Sequence, residues 1–176
     1  MSEAARRNLF DRVVVGAFTL VIGVDSLLIT LIIVGAAASR YIFKVNFYGY
    51  EEIAVLVAFW FYFMGAAYGS YNNTHVTADV VDAYLPEGAV KRALTFARHL
   101  VTSSVCGLFV YYGYGFFSFG FVGPLGNFQF KPTSMVWRIP LWTSYSATFV
   151  GLIFMEVYFV RNLILSARAL VGRGRA

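Results

Sequence analysis

The sequence predicts an all-α integral membrane protein with four transmembrane helices and a short amphipathic interfacial helix between spans two and three. Hydrophobic residues make up 59% of the 176 residues and charged residues 13%, whereas soluble domains average about 25% charged residues. Four apolar runs are long enough to cross a bilayer. The segment between the second and third runs is apolar on one half only, which is typical of a helix lying in the membrane interface.

The four predicted spans cover residues 13–39, 53–71, 99–121 and 139–163 of a single membrane domain, residues 1–176. The second span contains no charged residue, and its helical length of roughly 28 Å is close to the hydrocarbon thickness of a bilayer. The first span follows Arg6 and Arg7, as the apolar region of a signal peptide would. Its 27 residues exceed the about 7–15 of such a region, so we predict an uncleaved first span. Residues 122–138 contain Gly-Pro, Gly-Asn and Lys-Pro pairs, which predict an irregular loop.

The interfacial helix is predicted over residues 76–85. At about 100° per residue, its valines, Tyr84 and Leu85 fall on one half of the helix and its aspartates on the other. Thr74 is suited to cap its start and Pro86 to end it. His75 and Asp79 are four residues apart, so both can face the same side of this helix.

Lysine and arginine residues predict the orientation, because cytoplasmic loops of membrane proteins are enriched in them. Ten lie on the side that carries both termini and the segment between spans two and three, and four lie on the other side. We therefore expect both termini in the cytoplasm of a bacterial cell, with the chain in its inner membrane and the residues before span two on the outer face. The ten are Arg6, Arg7, Arg12, Lys91, Arg92, Arg98, Arg161, Arg168, Arg173 and Arg175; the four are Arg40, Lys44, Lys131 and Arg138.

Two features of the second span are candidate contacts with a partner. Glu51 and Glu52 precede it, where the helix dipole favours negative charge and carboxylates stay in headgroup water, so a solvated helix start explains them without a function. Gly65 and Gly69 form a small-x-x-x-small pair, which lets a second helix approach closely in lipid. We expect a neighbouring helix there, from this chain or from a partner.

Three charged residues fall within the spans or at their edges. Asp25 lies about 18 Å into the first span, near the bilayer middle, where a charge is costly. It fits either an ion or proton site, or a structural carboxyl group that bonds Ser26 or Thr30 or faces a partner subunit. Glu156 and Arg98 lie at a similar depth in spans four and three, which favours an ion pair between helices. A proton relay would need more ionisable groups than these.

The residue pattern excludes several classes of chemistry. Cys106 is the only cysteine, so the chain has neither a disulfide framework nor a thiolate metal cluster. The basic residues form no patch with interleaved aromatic side chains, so we expect no nucleic-acid partner. The sequence contains no standard phosphate loop and no triad of nucleophile, base and orienting residue. We predict no enzyme, no catalytic residue, no metal and no cofactor.

A haem-binding membrane anchor of an oxidoreductase, with His75 and His99 as ligands, is the alternative from another class, although neither histidine lies deep in a span.

Short motifs follow one another through most of the chain. They are Arg40-Tyr41-Ile42-Phe43, Glu51-Glu52-Ile53-Ala54, Phe63-x-Gly65-Ala66-Ala67, His75-Val76-x-Ala78-Asp79-Val80-Val81 with Leu85-Pro86, and Ile139-Pro140-x-Trp142-x-x-Tyr145 before Val150-Gly151. In this order and spacing they resemble the small membrane subunit of tripartite ATP-independent periplasmic (TRAP) transporters, the DctQ-like family. The chain departs from the family in having Gly49 where a Trp is usual, and Asn72-Asn73 where basic residues are usual.

The resemblance implies a non-catalytic small permease subunit of a secondary transporter that is driven by an ion gradient. Such a subunit scaffolds the large TRAP membrane subunit, which carries sodium and carboxylate-bearing solutes received from a periplasmic substrate-binding protein. We expect the scaffold contacts to include Glu51, Glu52, Gly65, Gly69, His75 and Asp79. The small subunit of a tripartite tricarboxylate transporter is the alternative within transport, and the His-Val-x-Ala-Asp stretch favours the TRAP family.

Overall fold

The computed structural model of the chain describes residues 9–72, 88–124, 126, 128 and 131–172. Its four helices are α1 (Leu9–Tyr41), α2 (Tyr50–Asn72), α3 (Ala89–Val122) and α4 (Trp142–Gly172). Each is long and apolar enough to cross a membrane. Within the described ranges the remaining regular pairing is an isolated antiparallel bridge between Thr133 and Pro140. The prediction of an all-α membrane fold with four spans is therefore confirmed, while the interfacial helix predicted over 76–85 lies outside the described residues.

The helices extend beyond the predicted spans where charged residues begin. Helix α3 starts at Ala89 rather than near 99, and α4 continues to Gly172 rather than ending near 163. Hydropathy falls at the lysines and arginines of these segments, but both residue types favour helix, so the backbone hydrogen bonding continues outside the apolar layer. Helix α4 begins at Trp142 because Ile139 belongs to the preceding loop, where its carbonyl accepts the Ser134 N–H at 2.9 Å.

The four helices form a row in the order α1, α2, α4, α3. Helix α1 packs on α2, α2 packs on α4, and α4 packs on α3. Three of them also share a core made by Phe18, Met64, Ala67 and Tyr158. The rings of Phe18 and Phe154 meet edge to face with centroids 5.1 Å apart, so α1 touches α4 as well as α2 at this level.

Small residues set the distances between the helices. The buried residues of α3 are Ser103, Cys106, Gly113 and Gly120, and their spacings of three and seven form the narrow stripe of a coiled-coil seam. This stripe faces α4, since a methyl group on Gly113 would lie 3.1 Å from Leu152 and one on Gly120 would overlap the Tyr145 ring. Small side chains therefore allow α3 and α4 to pack closely.

Along the helix axes the row has two ends, and these ends differ in their polar contacts. At the Glu52 end, α1 and α3 finish and α2 and α4 begin. At the opposite, Arg161 end, the guanidinium Nη1 of Arg161 lies 3.4 Å from Oδ2 of Asp11. Asp11 is buried, so this ion pair ties the start of α1 to α4. The sequence does not predict this pair, because Asp11 precedes the first predicted span and Arg161 counts there only as a topological charge.

Candidate functional site

The most organised polar contact at the Glu52 end joins α2 to the loop between α3 and α4. Oε1 of Glu52 accepts the Val136 N–H at 2.8 Å, and Oε2 accepts the Trp137 N–H at 2.9 Å. The Ser134 hydroxyl is a further partner of this carboxylate, and its oxygen accepts the Ile139 N–H at 3.0 Å. Several donors thus converge on one carboxylate, and bonds of this charge-assisted kind are the strong ones.

The tip of this loop, residues 135–137, also packs on the segment before α2. Gly49 has φ +81°, and a Cβ there would lie 2.5 Å from Nε1 of Trp137. The Phe47 ring meets the Trp137 ring with centroids 6.5 Å apart. Glycine at this position therefore serves two needs, a left-handed backbone and the close approach of an indole ring. The family's usual Trp could not occupy Gly49 in this arrangement.

A cleft of about 230 Å³ opens beside this contact. Glu51 and Glu52 lie at its edge with Ser134, and its other lining residues are Val55, Leu56, Ile139, Pro140, Leu141 and Ser144. This volume is below the about 300–1,000 Å³ of ordinary small-molecule sites. Glu51 itself is exposed, so the two adjacent glutamates have different environments and only Glu52 holds the loop.

The two glycines of the predicted packing face of α2 have different surroundings among the described residues. A methyl group placed on Gly65 would meet no atom within 4 Å. Gly69 does make a contact. The close approach between α2 and α4 occurs at Gly151 instead, where a methyl group would lie 2.7 Å from Cβ of Phe63 and 2.9 Å from its carbonyl oxygen. Gly65 is thus open for a neighbour from outside the described residues.

Asp25 lies on the stripe of α1 that includes Phe18. Its Oδ2 atom is buried and has no hydrogen-bond partner among the described residues. The Thr30 hydroxyl, one of its expected partners, donates to the Ser26 carbonyl at 2.8 Å instead. The carboxyl group is therefore not part of a polar network that the described residues supply.

Glu156 contacts α3 inside the helix row. Its Oε1 accepts the Ser103 hydroxyl at 2.8 Å, while Oε2 is buried without a hydrogen-bond partner in the described part of the chain. An ion pair with Arg98 was expected here, whereas the described partner of Oε1 is Ser103, five residues further along α3 and deeper in the row. Arg98 has a contact of its own. Ser103 was not singled out from the sequence, although it belongs to the small-residue stripe of α3.

The remaining predicted site residues, His75 and Asp79, lie outside the described residues. His99 is on α3 and has a contact. Among the residues that the structure describes, no three His, Cys, Asp or Glu side chains come together where they could hold a metal ion. The hydrogen bonds of Glu52 and Glu156 join elements of the row, whereas Oδ2 of Asp25 has no partner among the described residues.

Comparison with known families decides what kind of protein has this architecture. One family, described as tripartite ATP-independent periplasmic transporters, DctQ component, matches residues 29–169, from the second half of α1 into the end of α4. The chain belongs to the DctQ family. No curated protein matches the chain. The family resemblance drawn from the motifs is confirmed, and this DctQ protein is a multi-pass membrane component of a transporter. Glu52, Gly65 and Glu156 lie within the matched residues, whereas Asp25 precedes them.

Proposed function

We propose that this DctQ protein is the non-catalytic small permease subunit of a sodium-coupled TRAP transporter for carboxylate-bearing solutes. It holds the large membrane subunit in the bacterial inner membrane, and that subunit carries the substrate delivered by a periplasmic binding protein. Both termini lie in the cytoplasm. The observation that carries the proposal is the family match over residues 29–169.

Two polar contacts between helices support a scaffold rather than a path for substrate. Glu156 bonds Ser103 between α3 and α4, and Asp11 pairs with Arg161 between α1 and α4. A substrate path would need polar groups that face a cavity. The cleft of about 230 Å³ lies at the Glu52 end, between the start of α2 and the start of α4.

The surface of the row supports a large partner in the membrane. Helix α1 is apolar, and few residues of its most apolar stretch are buried inside the chain. Gly65 on α2 has an open space where a close-packed helix would lie. Such helices associate through van der Waals contact at small residues. The proposed contacts with the large subunit therefore include Gly65 and Gly69, with His75, Asp79 and Glu51 as further proposed positions.

Replacing Gly65 by Leu tests the scaffold function. We expect less large subunit to be recovered with the tagged variant and solute uptake to fall in parallel, because the leucine fills the space of the partner helix. Gly115→Leu on α3 is the matched control, since Gly115 also has no atom within 4 Å of an added methyl group but is not in the small-x-x-x-small pair.

Two measurements decide the outcome, recovery of the complex and uptake of a radiolabelled dicarboxylate or sialic acid. Deleting this chain while keeping the large subunit and the binding protein should abolish uptake. Full uptake without the chain would contradict the proposed function. Normal complex recovery in Gly65→Leu would remove Gly65 from the interface, and normal recovery with abolished uptake would contradict a purely scaffolding role.

A further inference from the structure

The tip of the α3–α4 loop, residues 135–137, presents apolar side chains that the other described residues leave about half exposed or more. Met135 is 95% exposed, Val136 56% and Trp137 49%. Three consecutive exposed apolar residues are unfavourable in water and mark a contact with something apolar. The tip cannot turn these side chains inward, because Glu52 binds the Val136 and Trp137 N–H groups and Trp137 lies against Gly49.

The height of the tip follows from its contact with Glu52. Glu52 is the third residue of α2, which is long and apolar enough to cross the membrane. The tip N–H groups are 2.8 and 2.9 Å from its carboxylate, so the tip lies close to the first turn of a spanning helix. That turn crosses the headgroup region of the bilayer. The tip therefore does not project far into the aqueous phase.

The surroundings of the tip have the composition of a membrane interface. Exposed aromatic side chains and exposed cations lie in or beside the same loops, and aromatic rings with lysine and arginine are enriched where helices leave the hydrocarbon layer. The aromatic residues are Tyr41, Phe43, Phe47 and Tyr48, and the cations are Arg40, Lys44 and Arg138. Within the described residues these three cations form no ion pair, so they are available to lipid phosphates.

We propose that residues 135–137 insert into the boundary between headgroups and acyl chains and anchor the loop in the bilayer. The Trp137 ring lies at the interface, Met135 and Val136 enter the acyl region, and the nearby cations pair with phosphate groups. Glu52 is the positioning residue, because its carboxylate sets the height at which the tip meets the lipid. The anchor does not depend on the transported solute or on the large subunit.

Fluorescence quenching of Trp137 in lipid nanodiscs tests the anchor. The full chain carries Trp60→Phe and Trp142→Phe, so that Trp137 is the remaining tryptophan. We expect phosphatidylcholine brominated near the glycerol to quench it about twofold more than lipid brominated near the chain ends, as for an interfacial ring. A control chain that retains only Trp60, about 15 Å into α2, should show the opposite preference.

Glutamate variants in this background test the positioning role. Glu52→Gln loses the charge and one acceptor oxygen, so quenching of Trp137 by aqueous iodide should rise and quenching by lipid should fall. Glu51→Gln removes the same charge one residue away without touching the tip and should leave both unchanged. Equal effects of the two substitutions would refute the role of Glu52.

Two other results would overturn the anchor itself. Strong quenching of Trp137 by iodide with none by either brominated lipid would place the tip in water. Lipid quenching that disappears when the large subunit is added to the nanodisc would make the tip a contact between subunits. Persistence of the lipid quenching in the complex supports the anchor, whatever the outcome of the uptake experiments.

Discussion

Ser103 and Glu156 illustrate how a single hydroxyl group can determine the environment of an intramembrane carboxylate. The Ser103 hydroxyl donates to Oε1 of Glu156, and Oε2 has no partner among the described residues. Removing the donor would take away the 2.8 Å hydrogen bond to Oε1, and an unsatisfied buried group is costly. The sequence placed Glu156 correctly in a helix interface but favoured Arg98 as its partner, because charges at similar depth are visible in a sequence and the facing of two helices is not.

Ser103→Ala should lower the free energy of unfolding of the purified chain by about 1–3 kcal/mol. Unfolding in mixed micelles with increasing sodium dodecyl sulfate, followed by helix circular dichroism, measures the change. Ser104→Ala is the matched control, because Ser104 is the adjacent residue and is exposed. Equal stability of the two variants would show that the Ser103 bond contributes nothing.

At the scale of helix pairs, the glycines differ in their surroundings, because only some of them lie where two helix backbones meet. Gly151 contacts the backbone of Phe63, whereas Gly65 has open space. The small-x-x-x-small spacing indicated Gly65 and Gly69, and Gly151 was known only as part of a family motif. Which glycine is used depends on the order of helices in the row, and spacing along one helix does not encode that order.

Gly151→Ala should destabilise the isolated chain by about 1–3 kcal/mol, as overpacking of a filled interface does. Its new methyl group would meet the carbonyl oxygen of Phe63 at 2.9 Å, and a backbone atom cannot move aside as a flexible side chain can. Gly65→Ala should leave stability unchanged or raise it by up to about 1 kcal/mol, because alanine favours helix. The same detergent titration compares them, and a Gly151→Ala protein as stable as Gly65→Ala would contradict the close contact between α2 and α4.

Prediction from sequence succeeded for elements whose signal is local and failed for contacts that join distant segments. The four spans follow from apolar length alone. Their ends were misjudged where charged residues continue a helix, as at Lys91 and Arg92, and where the loop residue Ile139 precedes the start of α4. The bond from Glu52 to Val136 and Trp137 joins residues about 85 positions apart. Glu52 therefore looked like a solvated helix start, and only the folded loop reveals it as a binding partner of backbone amides.

At the scale of the whole molecule, the row α1, α2, α4, α3 exposes a large apolar surface, and a defined polar contact ties each of its two ends. The Asp11–Arg161 pair ties one end and the Glu52 contact ties the other. Both ends restrain helices that are neighbours in space but not in sequence. A subunit with the proposed scaffold role would benefit from such restraint, because packed helices in lipid lack the hydrophobic driving force that acts in water.

The orientation of this row is a prediction that the charge distribution makes for the whole chain. Ten lysines and arginines lie on the side of the termini and of the segment between α2 and α3, against four on the side of the other two loops, so the first side should be cytoplasmic. Reporter fusions at Gly88 and Ala176 should be active only as cytoplasmic reporters, and fusions at Phe47 and Asn127 only as periplasmic ones. Paired alkaline phosphatase and green fluorescent protein fusions at each site provide the measurement and control for expression. A periplasmic Gly88 would reverse the row, and Glu52 with its loop would then face the cytoplasm, away from any periplasmic binding protein.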